Sequence, residues 1–330
     1  MSDFRKTAKT GLEALLTCTD SELTTCAQAI IAPDAVFDIA APIHQLVGRQ
    51  AILDGYFKPI RAAFAHIHRR DEIFIGGDNR REQGGQWVAS VLHYVGQFTA
   101  PFCGVRPARG ARQLAFFRSG EFYRLDDGLI TEAKIIFDLP DLMRQAGHQP
   151  FPFSYGTEML FPAPATHDGV CPDPAGGSAS LDVVERMLGA LRDFNPDTFE
   201  SAEQTGENGT WDDNMMWYGP MGIGSNFRWD GFVDYHRESF LLAFPDRVGG
   251  NHYCRIGDGN YAAVSGWPSM TMTFQGDYLG VKADGRALTL RVMDFYRMAN
   301  GRIMENWVML DYVDLMNQMG VDIIARQQPE

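Results

Sequence analysis

Cysteine is scarce in this chain, and its placement serves no pairing scheme. Cys18, Cys26, Cys103, Cys171 and Cys254 are odd in number, scattered, and never form a C-x-x-C pair. That excludes a disulfide frame or a cysteine zinc site and predicts reduced thiols in a cytoplasm. Long apolar runs are missing too: none approaches the roughly 18 residues of a membrane helix. The opening MSDFRKTAKTGLEALL shows neither a hydrophobic signal core nor a small-residue cleavage site, so neither export nor membrane insertion is expected. Basic charge is short, with 29 Lys and Arg against 42 Asp and Glu, a net of −13. Such a balance argues against nucleic acid or an anionic membrane as partner. His66-x-His68 lacks a third ligand at useful spacing, and YGPMGIG (218–224) has neither a Walker lysine nor a dinucleotide pattern. No metal and no cofactor are therefore expected.

What is present is a repeat. Residues 122–147, FYRLDDGLITEAKIIFDLPDLMRQAG, align without a gap to residues 295–320, FYRMANGRIMENWVMLDYVDLMNQMG, at an offset of 173 with 12 identities in 26 positions. A repeat of this length in 330 residues means two copies of one domain, each of roughly 150 residues and large enough for its own core. Phe4, Ala8, Leu12 and Leu15 are spaced for a helix over 2–17, and a second helix is expected between Asp20 and Pro33. The second half matches this opening with SLDVVERMLGALRDF, capped by Ser180, and Asn195-Pro196 predicts a further helix start. Strands are expected at 87–98 and 113–124, at 261–274 and 287–298, and once more at the end of each half. The stretch between the halves is rich in proline from Pro150 to Pro174, which predicts a surface connector. The expected division is 1–147, connector 148–178, and 179–330.

Asp127-Gly128 and Asn300-Gly301 are strong two-residue hairpin signals, and such a turn fixes strand register. In the second copy that register sets Tyr296 opposite Glu305, Asp294 opposite Trp307, Val292 opposite Met309 and Leu290 opposite Asp311, all on one face. The first copy gives Tyr123/Glu132, Glu121/Lys134, Ser119/Ile136 and Phe117/Asp138. The other face of the second copy is also apolar, so each sheet is expected to be covered on both sides, by helices and by its sister sheet.

Helices followed by a curved sheet ending in ENWVMLDYVDLMNQMG (305–320) and EAKIIFDLPDLMRQAG (132–147) resemble the SnoaL-like polyketide cyclases of the nuclear transport factor 2-like superfamily. WYGPMGIG (217–224), FLLAFPDR (240–247), GDYLGVKADGR (276–286) and, more weakly, PFCGVRPARGAR (101–112) are similar to strings of that family. The resemblance implies an α+β fold: two tandem cone-shaped α+β barrels packed sheet to sheet as a pseudo-dimer. It also implies an aspartate near the strand end acting as general acid/base at the bottom of an apolar cone, which falls on Asp311 and, in the first copy, Asp138. Where the family often carries a histidine, this chain reads Phe274 and Phe98, so the second proton carrier must lie elsewhere.

A carboxylate among apolar neighbours has a raised pKa, as general acid/base work needs. Asp311 fits that role, or else caps the helix that follows it. Asp294 on the same face would form a carboxylate pair with it, whereas Glu121 and Lys134 would close the first pocket with a salt bridge, leaving the second domain active. His236, in DGFVDYHRESFLLAF, is either the second proton carrier or a histidine on a partly buried helix face. Trp217, Tyr218, Trp267, Trp307 and Met309 would form the substrate wall, or simply core. Tyr218 would polarise a substrate oxygen, with Asn306 disfavoured because the register turns it away. The expected function is cofactor-independent cyclisation, isomerisation or dehydration of a small, largely apolar carbonyl or hydroxyl compound. The alternative is a non-catalytic small-molecule binding protein of the same fold.

Overall fold

The protein is described by a computed structural model, covering residues 3–108 and 113–327. The last four residues of PFCGVRPARGAR lie outside the described residues. The first half opens with α1 (Phe4–Thr17) and α2 (Leu23–Ile30), then β1 (Ile31–Ile39) and β2 (His44–Val47). A helical stretch follows, α3 (Arg49–Ile52) and α4 (Lys58–Ala63) joined by a π turn at Leu53–Phe57. Then come β3 (Phe64–Asp78), β4 (Gln86–Phe98), β5 (Gln113–Asp126), β6 (Leu129–Phe137) and α5 (Leu139–Gln145). The second half repeats the plan with α6 (Gly177–Leu191), β7 (Trp211–Tyr218), β8 (Asn226–Phe227), α7 (Arg228–Phe232), a π turn at Val233–Arg237, and α8 (Glu238–Ala243). It closes with β9 (Cys254–Asp258), β10 (Tyr261–Thr273), β11 (Ala287–Ala299), β12 (Arg302–Leu310) and α9 (Tyr312–Gln318). No helix among the described residues is long and apolar enough to cross a membrane.

Each half holds one six-stranded sheet, in the order β2-β1-β6-β5-β4-β3 and β8-β7-β12-β11-β10-β9. The chain is thus an α+β protein with the same topology twice. The sheets pack face to face over a second core drawing Ile73, Trp87, Val91 and Phe122 from one half and Ile256, Met293, Phe295, Trp307 and Met309 from the other. Phe122 and Phe295, equivalent at the 173 offset, meet at 5.5 Å between ring centroids. A Cβ on Gly120 would lie 3.2 Å from Met293 Sδ, again its equivalent, so a pseudo-twofold axis passes through these positions. Arg5 of α1 reaches across to Asp258 at 2.8 Å.

The hairpin register differs from the one the turns predict. Ala299 pairs with Arg302 and Met298 with Ile303, but the next pair is Arg297 with Glu305. Met304 is therefore an extra residue, a β-bulge, and beyond it Tyr296 faces Asn306, Phe295 faces Trp307, Asp294 faces Val308 and Val292 faces Leu310. The first copy bulges at the equivalent Thr131, since Leu125 pairs with Ile130 and Arg124 with Glu132. A one-residue slip moves every following side chain to the opposite face. Asn306, Val308 and Leu310 therefore turn inward, while Glu305, Trp307 and Met309 turn to the sister sheet.

Three local expectations are also corrected. α6 starts at Gly177 after Gly176 at φ 92, and Ser180, inside the helix, donates to Gly259 O at 2.8 Å instead of capping. Asn195 organises only a turn, its Oδ1 accepting from Asp197 N at 2.8 Å. The connector is not confined to the surface: Phe161 is buried in the inter-sheet core and Pro162 O accepts from Trp307 Nε1 at 2.8 Å.

Candidate functional site

A cavity of about 280 Å³ opens between the inner face of the second sheet and its helices. β11 contributes Val292, Asp294 and Tyr296, β12 contributes Asn306, Val308 and Leu310, and β7 contributes Trp211 and Trp217. Phe232, His236 and Phe240 close it from the helical side, with Met187 and Leu191 of α6. The π turn inserts one residue into the helical repeat and so re-aims the side chains it carries; such turns recur at functional sites.

Asp294 is the carboxyl group that the sheet contributes to the cavity wall. Burial pushes its pKa up to about 7, against hydrogen bonds from Asn306 and Tyr296 that favour the charged form. Asn306 is itself held in place, its Nδ2 donating to Phe295 O at 3.1 Å. His236 stacks on Trp217 with centroids 4.5 Å apart and an interplanar angle of 17°, and its Nδ1 is buried without a partner. Burial, followed by the charges of Arg237 and Arg247, lowers its pKa to about 3. The imidazole is therefore neutral at physiological pH and serves as a hydrogen-bond donor or acceptor.

Asp311 is placed elsewhere. Its Oδ1 accepts from Asp314 N at 3.1 Å as the N-cap of α9, and its Oδ2 accepts from Arg291 Nη1 at 2.8 Å and Ala41 N of the other half at 3.4 Å. Asp138 mirrors it, capping α5 through Asp141 N, pairing with Arg118 at 3.1 Å and accepting from Met221 N across the interface at 3.1 Å. Burial raises both carboxyls to about 6, yet neither lines the cavity. The expected pairing of Asp311 with Asp294 is therefore not made.

Of the expected wall, only Trp217 lines the cavity. Trp307 and Met309 are fully buried in the inter-sheet core. Tyr218 OH donates to Glu305 at 3.1 Å and its ring packs 5.2 Å from Trp307. Trp267 lies under the Arg291 guanidinium at 4.7 Å. Tyr296 keeps the face it shares with Asp294 in the sequence register, and Asn306, disfavoured there, is turned inward by the bulge at Met304, which neither glycine nor proline marks.

The environment of Glu121, the equivalent of Asp294, differs in the first half. Glu121 is fully buried and accepts from Arg69 at 2.6 Å, Tyr94 at 2.5 Å, Tyr123 at 2.6 Å and Ser119 at 3.0 Å. The expected Glu121–Lys134 bridge does not form: the bulge puts Lys134 on the other face, paired with Asp38 and, at 2.9 Å, Glu132. Phe64 stacks between Phe98 and Phe117. Among the described residues no three His, Cys, Asp or Glu side chains cluster as metal ligands.

Fold and cavity together define two copies of one α+β scaffold, the second with a cavity between its sheet and its helices. Residues 185–319, in the second copy, match the SnoaL-like polyketide cyclase family model. Similar solved structures each span under half of this chain. IdmH from Streptomyces antibioticus is 20% identical over 42% of this chain and 98% of its own, with a TM-score of 0.34. A nuclear transport factor 2-like protein of unknown function from Burkholderia pseudomallei is 13% identical over 44% and 98%, with a TM-score of 0.33. A protein of ketosteroid isomerase-like fold from Catenulispora acidiphila, in complex with trimethylamine, is 19% identical over 42% and 90%, with a TM-score of 0.30. No curated protein matches the sequence.

Proposed function

We propose that the second domain performs cofactor-independent acid/base catalysis on a small carbonyl or hydroxyl compound: cyclisation, isomerisation or dehydration. The observation that carries this reading is Asp294, a carboxyl in a mostly apolar cavity with its pKa raised to about 7. A group poised there is both a competent base and a competent acid near neutral pH, a situation worth roughly 100- to 10,000-fold in rate. As carboxylate, Asp294 takes a proton from carbon next to a carbonyl, and as carboxylic acid it returns one. The neutral His236 ring, with an unpartnered Nδ1, offers a hydrogen bond to the oxygen on which charge develops. Trp217 and Phe232 hold the substrate body and exclude water. The first domain serves as the structural partner.

The rival reading, a binding protein without turnover, draws on the same His236: a histidine held neutral does not readily carry a second proton. Deuterium uptake next to the carbonyl of a panel of small aryl ketones, followed by NMR in D2O, separates the two. An acid/base site accelerates uptake, and Asp294→Asn removes at least 100-fold of it. A binding protein gives uptake no faster than buffer.

A further inference from the structure

Three arginines on the cavity wall, Arg192, Arg237 and Arg247, have no carboxylate partner among the described residues; Arg192 is exposed to solvent and the other two are not. Arg237 is 3% exposed, and its guanidinium donates only to neutral oxygens, Phe199 O at 2.6 Å and Ser201 Oγ at 3.0 Å. Arg247 is partly buried against the Phe194 ring at 5.6 Å. Among the described residues neither has a carboxylate within ion-pair distance, in a chain of net charge −13. Arg255, on the same wall, makes the contrast: it is paired with Glu185 at 3.1 Å. The wall's two carboxyls are Glu185 and Asp294, and Glu185 is already shared with Arg80.

We propose that this cavity takes a carboxylate-bearing compound, with Arg237 and Arg247 receiving the carboxylate while the apolar body lies against Trp217 and Phe232. Retaining a buried charge without a partner is costly, and an incoming anion relieves that cost. Guanidinium and carboxylate are matched in shape, and charge-assisted hydrogen bonds between them are about twice as strong as neutral ones. The two arginines also oppose each other: burial first, then the charge of Arg247, lowers Arg237 to about 9. A carboxylate between them removes both penalties. His236, beside Arg237 in the π turn, adds a free ring nitrogen. The substrate then combines an apolar body with one anionic end, and the proton-transfer position falls at Asp294.

This assignment rests on the cavity being the substrate site, not on which group moves the proton. Calorimetric titration at pH 7.5 with 2-naphthoate and its neutral isostere 2-naphthamide tests it. Naphthoate is expected to bind at least tenfold tighter, the scale of one charge-assisted hydrogen bond. Arg247→Gln, at a partly exposed position, should erase most of that preference and leave naphthamide affinity unchanged; Arg237→Gln, checked for folding by its melt, should do the same. Equal binding of the two compounds, binding of neither up to millimolar concentration, or a preference that survives both substitutions overturns the proposal. The same titration on Asp294→Asn should retain the carboxylate preference. Absence of accelerated proton exchange in the unmutated protein, with the carboxylate preference intact, therefore faults the catalytic reading separately from this one.

Discussion

Asp294→Asn removes a titrating proton while keeping the shape and most of the hydrogen bonding of the neutral acid. In the folded chain Asp294 holds its proton up to about pH 7, whereas the unfolded chain releases it near 3.8. Between those values the unfolded chain binds fewer protons, so wild-type stability falls as pH rises through the interval. At about 1.4 kcal/mol per pH unit, the interval from 3.8 to about 7 corresponds to at most about 4 kcal/mol. The asparagine variant has no such slope. Asp311 and Asp138, also raised to about 6, tilt both curves alike and cancel in the difference. Relative to wild type, the variant should therefore gain little at pH 4 and up to about 4 kcal/mol by pH 8. For a domain of roughly 150 residues that is on the order of 10 °C in Tm. Paired thermal melts of both proteins across pH 4 to 8 measure it. A difference in Tm constant to within about 2 °C over that range would show that Asp294 titrates normally and would remove the physical ground for its catalytic role.

Other substitutions separate cavity from frame. His236→Phe keeps the stacking on Trp217 and removes a ring whose pKa is lowered to about 3. The unfolded chain binds more protons between about 6.5 and 3, so the variant should gain stability at pH 5 over its gain at pH 8, read by melts. Asp311→Ala removes the α9 cap and the partner of Arg291, and should cost about 2–3 kcal/mol in urea unfolding while the folded protein keeps its proton exchange. Glu121→Ala leaves the Tyr94 and Tyr123 hydroxyls without their carboxylate acceptor and Arg69 with Asp71 as its remaining carboxylate, and should cost about 2–4 kcal/mol, again without altering exchange at the second domain.

The repeat and the alternation of its strands were enough to read the topology, because the burial periods of helix and strand are written in residue type. The duplicated hairpins show where that legibility stops. Asn300-Gly301 does fix the first two pairs of its hairpin, as the turn chemistry says. One extra residue then inverts the rest, and neither Met304 nor Thr131 has a side chain that announces a bulge. Everything assigned by face from β12 was therefore reversed, Trp307 and Met309 outward and Asn306 inward. Assignments on β7 and β11 did not depend on that pairing, and Trp217 and Asp294 reach the cavity. Asp311 was legible as either acid or cap, and long-range partners decide: Arg291 and Ala41 N are contacts no local pattern contains.

Glu121 and Asp294 occupy the same position in two copies of one fold, and the contrast between them shows what a cavity carboxyl requires. Glu121 has an arginine, two tyrosines and a serine converging on it. Every lone pair is engaged. Asp294 is one methylene shorter, has only Asn306 and Tyr296 as hydrogen-bonding neighbours, and faces open volume. A carboxyl left in that state weakens the fold near neutral pH by the linkage worked out above, so the stability must come from elsewhere in the molecule. The inter-sheet core with Trp307, Met309 and Phe295, and the two capping aspartates that each reach an amide of the opposite half, are placed to supply it. A copy whose equivalent carboxyl is fully hydrogen-bonded suits that role better than a second one with its carboxyl left wanting partners, because it carries no such penalty near neutral pH.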